Sequence, residues 1–348
     1  MDLAIDSIPT SVTRIRSVMN HPRLSSTAPS AYFLGVAVIA ASITLAACGG
    51  SGETASTTST ATSSGAGGGE ASSSGTTGSA GGSAGQSTGA TTGSGGGVPG
   101  WKLSWSDEFN GADGSPIDAS KWTALVGGDG WGNQEREYYT TDAVNARQEG
   151  GNLLITATSE GAAAHTCWYG ACQFTSARLQ TKVKFEQAYG RFEARIQIPR
   201  GQGIWPAFWM LGGNIESAPW PSCGEVDIME NIGKEPGVVH GSLHGPGYSG
   251  GSPLTDKYTL PGGATLADEL HLFAVEWEKD VIRFYLDDTL YETKTTADVP
   301  AGKPWVYDHP FFMLLNVAVG GGWPGDPDGT TMFPQSMKVD YVRVYTRP

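Results

Sequence analysis

Three acidic side chains, Glu225, Asp227 and Glu230, stand close together in the segment GEVDIMENIG, residues 224–233. Cleavage of a glycosidic bond needs one carboxylic acid that protonates the leaving oxygen and one carboxylate that meets the positive charge developing at the anomeric carbon. A third acid between the two can hydrogen-bond to one of them and raise the pKa of the other by like-charge repulsion. The segment therefore contains the groups that such chemistry requires, with Asp227 in the middle position.

The spacing of these acids sets a condition on the strand that carries them. Glu225 and Asp227 are two residues apart and face the same side of a β-strand, whereas Glu230, five residues after Glu225, would face the opposite side. A β-bulge at Ile228–Met229 would add one residue and return Glu230 to the first side. The sequence thus predicts a bulged strand with three carboxyl groups on one face.

The alternatives to catalysis for the acidic segment are a solvated acidic face and a cation-binding site. A solvated acidic face does not account for the apolar residues Val226, Ile228 and Met229 between the acids, which indicate a packed core behind them. Cation binding is the main competitor of catalysis, because carboxylate oxygens are also common metal ligands. His240 and His244 have a spacing that metal ligands can adopt, but this pair lacks a third ligand in the sequence around it.

The rest of the second half of the chain reads as strands. Five segments alternate apolar and polar residues with a period of two, and Gly, Pro, Asp and Asn residues separate them. They are residues 152–158, 192–198, 272–278, 281–286 and 338–345. Because no segment has sustained helical periodicity, we expect an all-β sandwich of two antiparallel sheets that curve around a cleft, with the acidic strand on the concave face.

The first hundred residues have a different composition. Residues 1–47 carry three arginines before an apolar run that ends in Leu45-Ala46-Ala47-Cys48, a pattern that resembles a bacterial lipobox, so we interpret them as a signal peptide with Cys48 as the lipidated residue. A plain secretory signal is the alternative. Residues 48–98 are rich in Gly, Ser and Thr and are predicted to be a disordered linker. Residues 99–348 are then the folded domain, exported and lipid-anchored at a bacterial surface or outer membrane.

The net charge and the aromatic content indicate which binding partners suit the protein, and the cysteines indicate a disulfide. The chain has 22 Lys and Arg against 35 Asp and Glu, a net charge of −13, which argues against nucleic acid as a partner. The 11 tryptophans offer flat apolar faces that suit a neutral polymer. Export to an oxidising compartment favours a disulfide between Cys167 and Cys172, and leaves Cys223 as a buried free thiol.

GEVDIMENIG resembles the active-site signature of glycoside hydrolase family sixteen, in the bulged form that laminarinases have. Further segments resemble laminarinase segments in the same order, so the similarity covers essentially all of residues 101–348. They are WSDEFNG (105–111), WGNQEREYYT (131–140), SARLQTK (176–182), GRFEARIQIP (190–199), GIWPAFWML (203–211), HGSLHGPGYSGG (240–251), NVAVGGGWPG (316–325) and MKVDYVRVY (337–345).

The resemblance implies a β-jelly-roll sandwich and retaining hydrolysis without a catalytic cofactor. It implies that Glu225 is the nucleophile, Glu230 the general acid and base, and Asp227 the assisting acid. The substrate-binding residues that it implies are Trp205, Trp209, Trp323, Asn133, Arg178 and His244. It also implies a structural calcium ion on the convex side, held by Glu108, the backbone carbonyl of Gly150 and Asp340. For each tryptophan core packing is the alternative role, and for Arg178 it is a surface ion pair.

We therefore expect a monomeric, lipid-anchored endo-hydrolase of 1,3-β-glucans such as laminarin. A mixed-linkage 1,3-1,4-β-glucan hydrolase and a non-catalytic β-glucan-binding protein are the alternatives. The binding protein is disfavoured because all three acids are present. A sulfated galactan is a poorer substrate for a chain this acidic, because sulfate groups favour a basic cleft.

Overall fold

The computed structural model describes residues 98–348. The predicted signal peptide, the lipidation site Cys48 and all but the last residue of the predicted linker lie outside the described residues. Within residues 98–348, no helix has the length and apolar character needed to cross a membrane.

The described residues form nineteen strands. These are β1 Lys102–Asp107, β2 Thr123–Leu125, β3 Glu137–Tyr139, β4 Ala146–Glu149, β5 Asn152–Ala157, β6 Thr166–Cys167, β7 Gly170–Ala171, β8 Phe174–Ser176, β9 Arg178–Gln180, β10 Gly190–Gln197, β11 Ile204–Gly212, β12 Glu225–Glu230, β13 Val238–His244, β14 Leu254–Thr259, β15 His271–Glu278, β16 Val281–Leu286, β17 Thr289–Thr295, β18 Phe311–Val319 and β19 Gln335–Thr346. Three short 3₁₀ turns, Ala162–Ala164, Pro261–Gly263 and Thr296–Asp298, are the helical elements of this part of the chain. The all-β prediction is confirmed, and each of the five segments predicted from alternation coincides with a strand, although residues 152–158 and 192–198 extend one residue past β5 and β10.

Two large antiparallel sheets form most of the domain, and the short pairs β3-β8, which is parallel, and β6-β7 lie beside them. The larger runs β17-β16-β15-β10-β19-β5-β4, with β1 pairing the second half of β19, and the smaller runs β14-β13-β12-β11-β18-β9-β2. Strand neighbours in space are often distant in sequence, as with β10 and β19 or β11 and β18. The consecutive strands β11 and β12 also pair, which brings the tryptophan-rich segment of β11 beside the acidic strand β12.

The core fills the space between the two sheets. Inward residues of the smaller sheet, such as Phe208, Val226 and Ile228, belong to one buried apolar cluster with inward residues of the larger sheet, such as Phe192 and Val275. Because side chains alternate along a strand, the residues between them face the other side. The smaller sheet therefore directs a second set of side chains away from the core, and these form the site.

Candidate active site

The acidic strand β12 contains the predicted irregularity. Asp227 and Glu230 are three residues apart on β12, yet they pair with Ser242 and His240, which are two residues apart on β13. The pairing with β11 shifts at the same place. The extra residue at Ile228–Met229 is a β-bulge, as predicted, and it returns Glu230 to the face that carries Asp227.

The outward face of the smaller sheet forms the floor of a cleft of about 340 Å³. Glu225, Asp227 and Glu230 all line it. The other lining residues are contributed by β9, β11, β18 and the loops before β3 and β12. They are Trp131, Gly132, Asn133, Glu135, Arg178, Trp205, Ala207, Trp209, Leu211, Trp220, Asn316 and Ala318. A cleft with aromatic walls and a carboxylate floor can hold a sugar chain against acid groups.

Glu225 and Asp227 share one end of the acidic floor with His244. The Nε2 atom of His244 lies 3.1 Å from Oδ2 of Asp227 and 3.7 Å from Oε1 of Glu225. Burial raises the pKa of Glu225 well above its ordinary value, and the charge on Asp227 raises it further. Burial also raises the pKa of Asp227, which a hydrogen bond with Glu225 opposes. The Asp227 side chain is 4% exposed and that of Glu225 17%, so both coupled carboxyl groups are largely shielded from water.

Glu230 lies at the other end of the acidic floor and has its own partner. Burial raises its pKa to about 8, and the charge on Asp227 adds to this rise. The indole Nε1 of Trp205 donates a hydrogen bond of 3.0 Å to Oε1 of Glu230 and holds the carboxyl group in place. A carboxyl group with this pKa is largely protonated at neutral pH, which is the state that a general acid needs.

Arg178 forms no ion pair with a residue of the described part of the chain and packs between aromatic rings instead. Its guanidinium carbon lies 4.8 Å from the ring centre of Trp131 and 4.7 Å from that of Trp209. The Trp209 indole in turn donates a hydrogen bond of 2.8 Å to Oδ1 of Asn316 on β18. This packing fixes the Arg178 fork at the wall of the cleft, where its free N–H groups can meet sugar hydroxyls.

A chain of hydrogen bonds orients Asn133 at the same wall. Its Nδ2 donates to Oε1 of Glu135 at 3.0 Å, and the Tyr139 hydroxyl donates to Oε2 of Glu135, also at 3.0 Å. Asn316 Nδ2 then donates to the Tyr139 oxygen at 3.3 Å. Since the Asn133 amide nitrogen faces Glu135, its carbonyl oxygen is the group left for a ligand.

Trp323 stands at the rim of the cleft and is 40% exposed. Its ring meets the rings of Trp205 and His240 edge-on, at centroid distances of 5.4 and 5.0 Å. Trp220, 45% exposed, lines the cleft elsewhere, and its ring centre lies 6.3 Å from that of His244. The half-exposed faces of these rings are available for stacking on a sugar.

Comparisons with known proteins agree with this geometry. A model of the family described as glycosyl hydrolases family 16 matches residues 133–343. The chain belongs to glycosyl hydrolase family 16. A beta-glucanase of Rhodothermus marinus is 43% identical over 261 residues, which cover 71% of this chain and 86% of that protein.

Solved family 16 structures are similar to the whole domain. The laminarinase catalytic domain of Thermotoga maritima has a TM-score of 0.66 and 46% identity, covering 71% of this chain and 98% of its own. The endo-beta-1,3-glucanase of Pyrococcus furiosus also has a TM-score of 0.66 and 46% identity, covering 71% and 94%. The predicted jelly-roll sandwich is thereby confirmed.

The three residues that the family resemblance assigns to calcium are engaged elsewhere. Glu108, just after β1, forms a two-pronged ion pair with Arg343 at 2.9 and 2.7 Å, and Asp340 on β19 pairs with Arg195 at 2.8 Å. The Gly150 carbonyl, in the turn between β4 and β5, accepts a hydrogen bond from the side chain of the nearby Asn152. The donors are oxygens of the kind that calcium takes, but a calcium ion would have to displace both arginines. The calcium site stays a prediction.

The structure joins Cys167 and Cys172 by a disulfide across the β6–β7 hairpin. Cys223 is a free thiol, fully buried, and burial raises its pKa. A buried thiol with a raised pKa is a poor nucleophile. It therefore packs beside the acidic strand of this family 16 domain without adding a reactive group.

Sequence reasoning missed four of the side chains that form this family 16 cleft: Trp131, Glu135, Trp220 and Asn316. Trp131 and Glu135 lie in the quoted segment WGNQEREYYT, and Asn316 begins NVAVGGGWPG, but neither segment alternates in a way that singles them out. Trp131 has a φ of 48°, in the left-handed region that a bulky residue rarely adopts. A backbone strained in this way often marks a functional site, but it is visible only in coordinates.

Proposed function

We propose that this protein hydrolyses 1,3-β-glucosidic bonds inside β-glucan chains with retention of anomeric configuration. The observation that carries the proposal is the bulged strand β12, which aligns three carboxyl groups of unequal pKa along the floor of one cleft. Two of its relatives, a beta-glucanase and an endo-beta-1,3-glucanase, support 1,3-β-glucan as the substrate class.

In the first step, Glu230 donates its proton to the glycosidic oxygen as the bond between that oxygen and the anomeric carbon breaks. The Glu225 carboxylate attacks the anomeric carbon from the opposite face and forms a glycosyl ester. Asp227 lies between the two acids and hydrogen-bonds to Glu225. As Glu225 loses its negative charge in the ester, the like-charge repulsion between Glu225 and Asp227 falls.

In the second step, a water molecule replaces the departed sugar. Glu230, now a carboxylate, accepts a proton from this water, and the water oxygen attacks the anomeric carbon and breaks the ester to Glu225. Each step inverts the configuration at that carbon, so the product keeps the original one. Proton NMR of the first-formed reducing ends tests this point. A product of inverted configuration would contradict the role of Glu225 as a nucleophile.

The cleft wall supplies the binding that a polymer needs. Trp205 and Trp209 alternate on the outward face of β11, with Arg178 packed against Trp209. Sugar rings stack on indole faces, and the guanidinium and amide groups beside them hydrogen-bond to hydroxyls. A cleft open along the sheet suits attack within a chain rather than at its end.

One experiment tests the activity and its alternatives. Release of reducing ends is measured with laminarin, lichenan, agarose and carrageenan for the wild type and for Glu225→Gln. We expect release from laminarin above the other three, and a loss of at least about 1,000-fold in kcat for the variant, because an amide cannot form the ester. The variant must melt at a temperature close to the wild-type value, which shows that folding is intact.

Other outcomes would replace the proposal. Faster release from lichenan than from laminarin would indicate a mixed-linkage glucan hydrolase. No release from any polymer, together with retained laminarin binding, would indicate a glucan-binding protein. Full activity of Glu225→Gln would reject the assigned nucleophile.

We also propose that the enzyme is a monomer exported and anchored to a bacterial membrane through a lipid on Cys48. Support comes from the sequence alone: arginines, an apolar run and a lipobox-like end that precede a polar linker. Metabolic labelling with a radioactive fatty acid tests the anchor. We expect label on the wild type and none on Cys48→Ala, which should be found in the soluble fraction. Equal fractionation of both would reject it.

A further inference from the structure

Two of the three acids form a second constellation with a histidine. One donor atom from each of Glu225, Asp227 and His244 lies within 4.8 Å of the other two. The imidazole Nε2 is closest to Asp227, at 3.1 Å, and 3.7 Å from Glu225. Three convergent donors at these distances surround a point that one ion can occupy after small side-chain movements.

The backbone holds this group together. His244 on β13 pairs directly with Glu225 on β12, and Ser242 pairs with Asp227, so His244 lies diagonally across from Asp227. The two strands lie inside the smaller sheet, flanked by β11 and β14. The hydroxyl of Tyr307 donates to the His244 carbonyl at 2.9 Å, which adds a further restraint. Donors on paired interior strands need little reorganisation to bind an ion.

Asp227 provides an independent sign that a cation is accommodated here. Its side chain is almost completely buried, yet Oδ2, the oxygen directed at His244, accepts no hydrogen bond of good geometry within residues 98–348. An unsatisfied buried carboxylate oxygen is costly, and a bound cation would remove that cost. It would also offset the mutual repulsion of Glu225 and Asp227.

We propose that Glu225, Asp227 and His244 form a binding site for a divalent transition-metal ion of the Zn²⁺ type, and that occupation of this site inhibits the enzyme. Two carboxylate oxygens and one imidazole nitrogen suit Zn²⁺, whereas Ca²⁺ and Mg²⁺ prefer oxygen ligands only. Glu225 and Asp227 line the cleft, from which a water can complete the coordination. Inhibition follows because a metal-bound Glu225 cannot attack the sugar. The inhibitory part rests on the proposed function, but metal binding itself does not.

The affinity should be lower than that of a resident zinc site. Metal-binding histidines usually donate their second ring N–H to a carbonyl or carboxylate, which strengthens the bond to the metal. Nδ1 of His244 is buried without such a partner in the described part of the chain. We therefore expect a site that fills when zinc is added and empties when a chelator removes it.

Calorimetric titration of metal-free enzyme with Zn²⁺ tests the site, with His244→Asn as the main variant and His240→Asn as its control. His240 is on the same strand but pairs with Glu230, outside the three donors. We expect one site in the wild type, an affinity at least about ten-fold lower in His244→Asn, and little change in His240→Asn. Equal affinity of His244→Asn and the wild type, or an equal loss in both variants, would overturn the proposal.

Further measurements separate binding from function. Glu225→Gln should also weaken Zn²⁺ binding, and it serves as the test if His244→Asn does not fold. With laminarin as substrate, Zn²⁺ should inhibit competitively, and EDTA should restore activity. Zn²⁺ binding without any hydrolysis in metal-free enzyme would reject the proposed function and leave the metal site intact. If Zn²⁺ inhibits His244→Asn as strongly as it inhibits the wild type, the proposed inhibitory site is wrong.

Discussion

At the residue scale, the cleft gives three similar acids different chemical states. Glu230 has an indole donor and a pKa of about 8, whereas Glu225 and Asp227 are coupled to each other and to His244. Burial is the largest cause of the raised pKa in each of the three. The acids are therefore distinguished by their neighbours and not by residue type.

The pKa of Glu230 predicts the alkaline limb of the pH profile. The protonated form is the active one, so kcat/KM for laminarin should fall as pH rises through about 8. The Trp205 hydrogen bond favours the ionised form and lowers this pKa. Trp205→Phe should therefore shift the alkaline limb to higher pH, besides weakening binding. The check is kcat/KM measured from pH 5 to 10 for both proteins, and an alkaline limb that moves to lower pH in the variant would contradict the assignment.

At the element scale, a small hairpin supports the wall of the cleft. Strands β6 and β7 are closed by the Cys167–Cys172 disulfide, and Trp168 between them donates its Nε1 to the backbone carbonyl of Glu135 at 2.7 Å. Glu135 in turn orients Asn133. The hairpin is thus linked through Glu135 to the loop that carries Asn133, one of the proposed substrate-binding residues.

Removal of the disulfide should loosen this support. We expect the double variant Cys167→Ser/Cys172→Ser to lose about 2 kcal/mol of unfolding free energy, from the entropy of closing so short a loop. KM for laminarin should rise more than kcat falls, because no residue of the hairpin lines the cleft beside the acids. Urea denaturation and steady-state kinetics measure the two effects. Trp168→Phe is the control, since it keeps the disulfide and removes only the hydrogen bond to Glu135. Unchanged stability of the double variant would mean that the hairpin folds without its bridge.

At the scale of the whole molecule, the two large sheets have different roles. The larger sheet and the inward face of the smaller one build the core, and the outward face of the smaller one carries the site. The calcium residues predicted from the family, Glu108, Gly150 and Asp340, belong to the larger sheet or its margins, away from the residues that line the cleft. An ion there would act on stability and not on the reaction.

Chelation tests whether a calcium ion is bound at Glu108, Gly150 and Asp340. If calcium is bound, EDTA should lower the melting temperature by several degrees, and excess Ca²⁺ should restore it, because a ligand of the native state stabilises by mass action. Asp340→Asn lacks one donor and should respond much less to EDTA. If chelation leaves the wild-type melting temperature unchanged, Glu108 and Asp340 stay paired with Arg343 and Arg195 and bind no calcium.

The sequence by itself determined what depends on local spacing. The five-residue offset from Glu225 to Glu230 required a bulge if both were to face one side, and alternation located strands such as β10 and β16. The similarity of whole segments to family 16 added the fold and the proposed roles of the acids. The bulge, the strands and the family motifs all depend on residues that are close together in the chain.

Only the tertiary structure decided which distant side chains meet. Arg178 lies between Trp131 and Trp209, Trp205 donates to Glu230, and His244 contacts Asp227. The physical reason is that strand order and register depend on how two whole sheets bury their apolar faces. A period-two pattern identifies a strand but does not show which other strand pairs with it. The pKa of each acid depends in the same way on burial, which the folded chain alone creates.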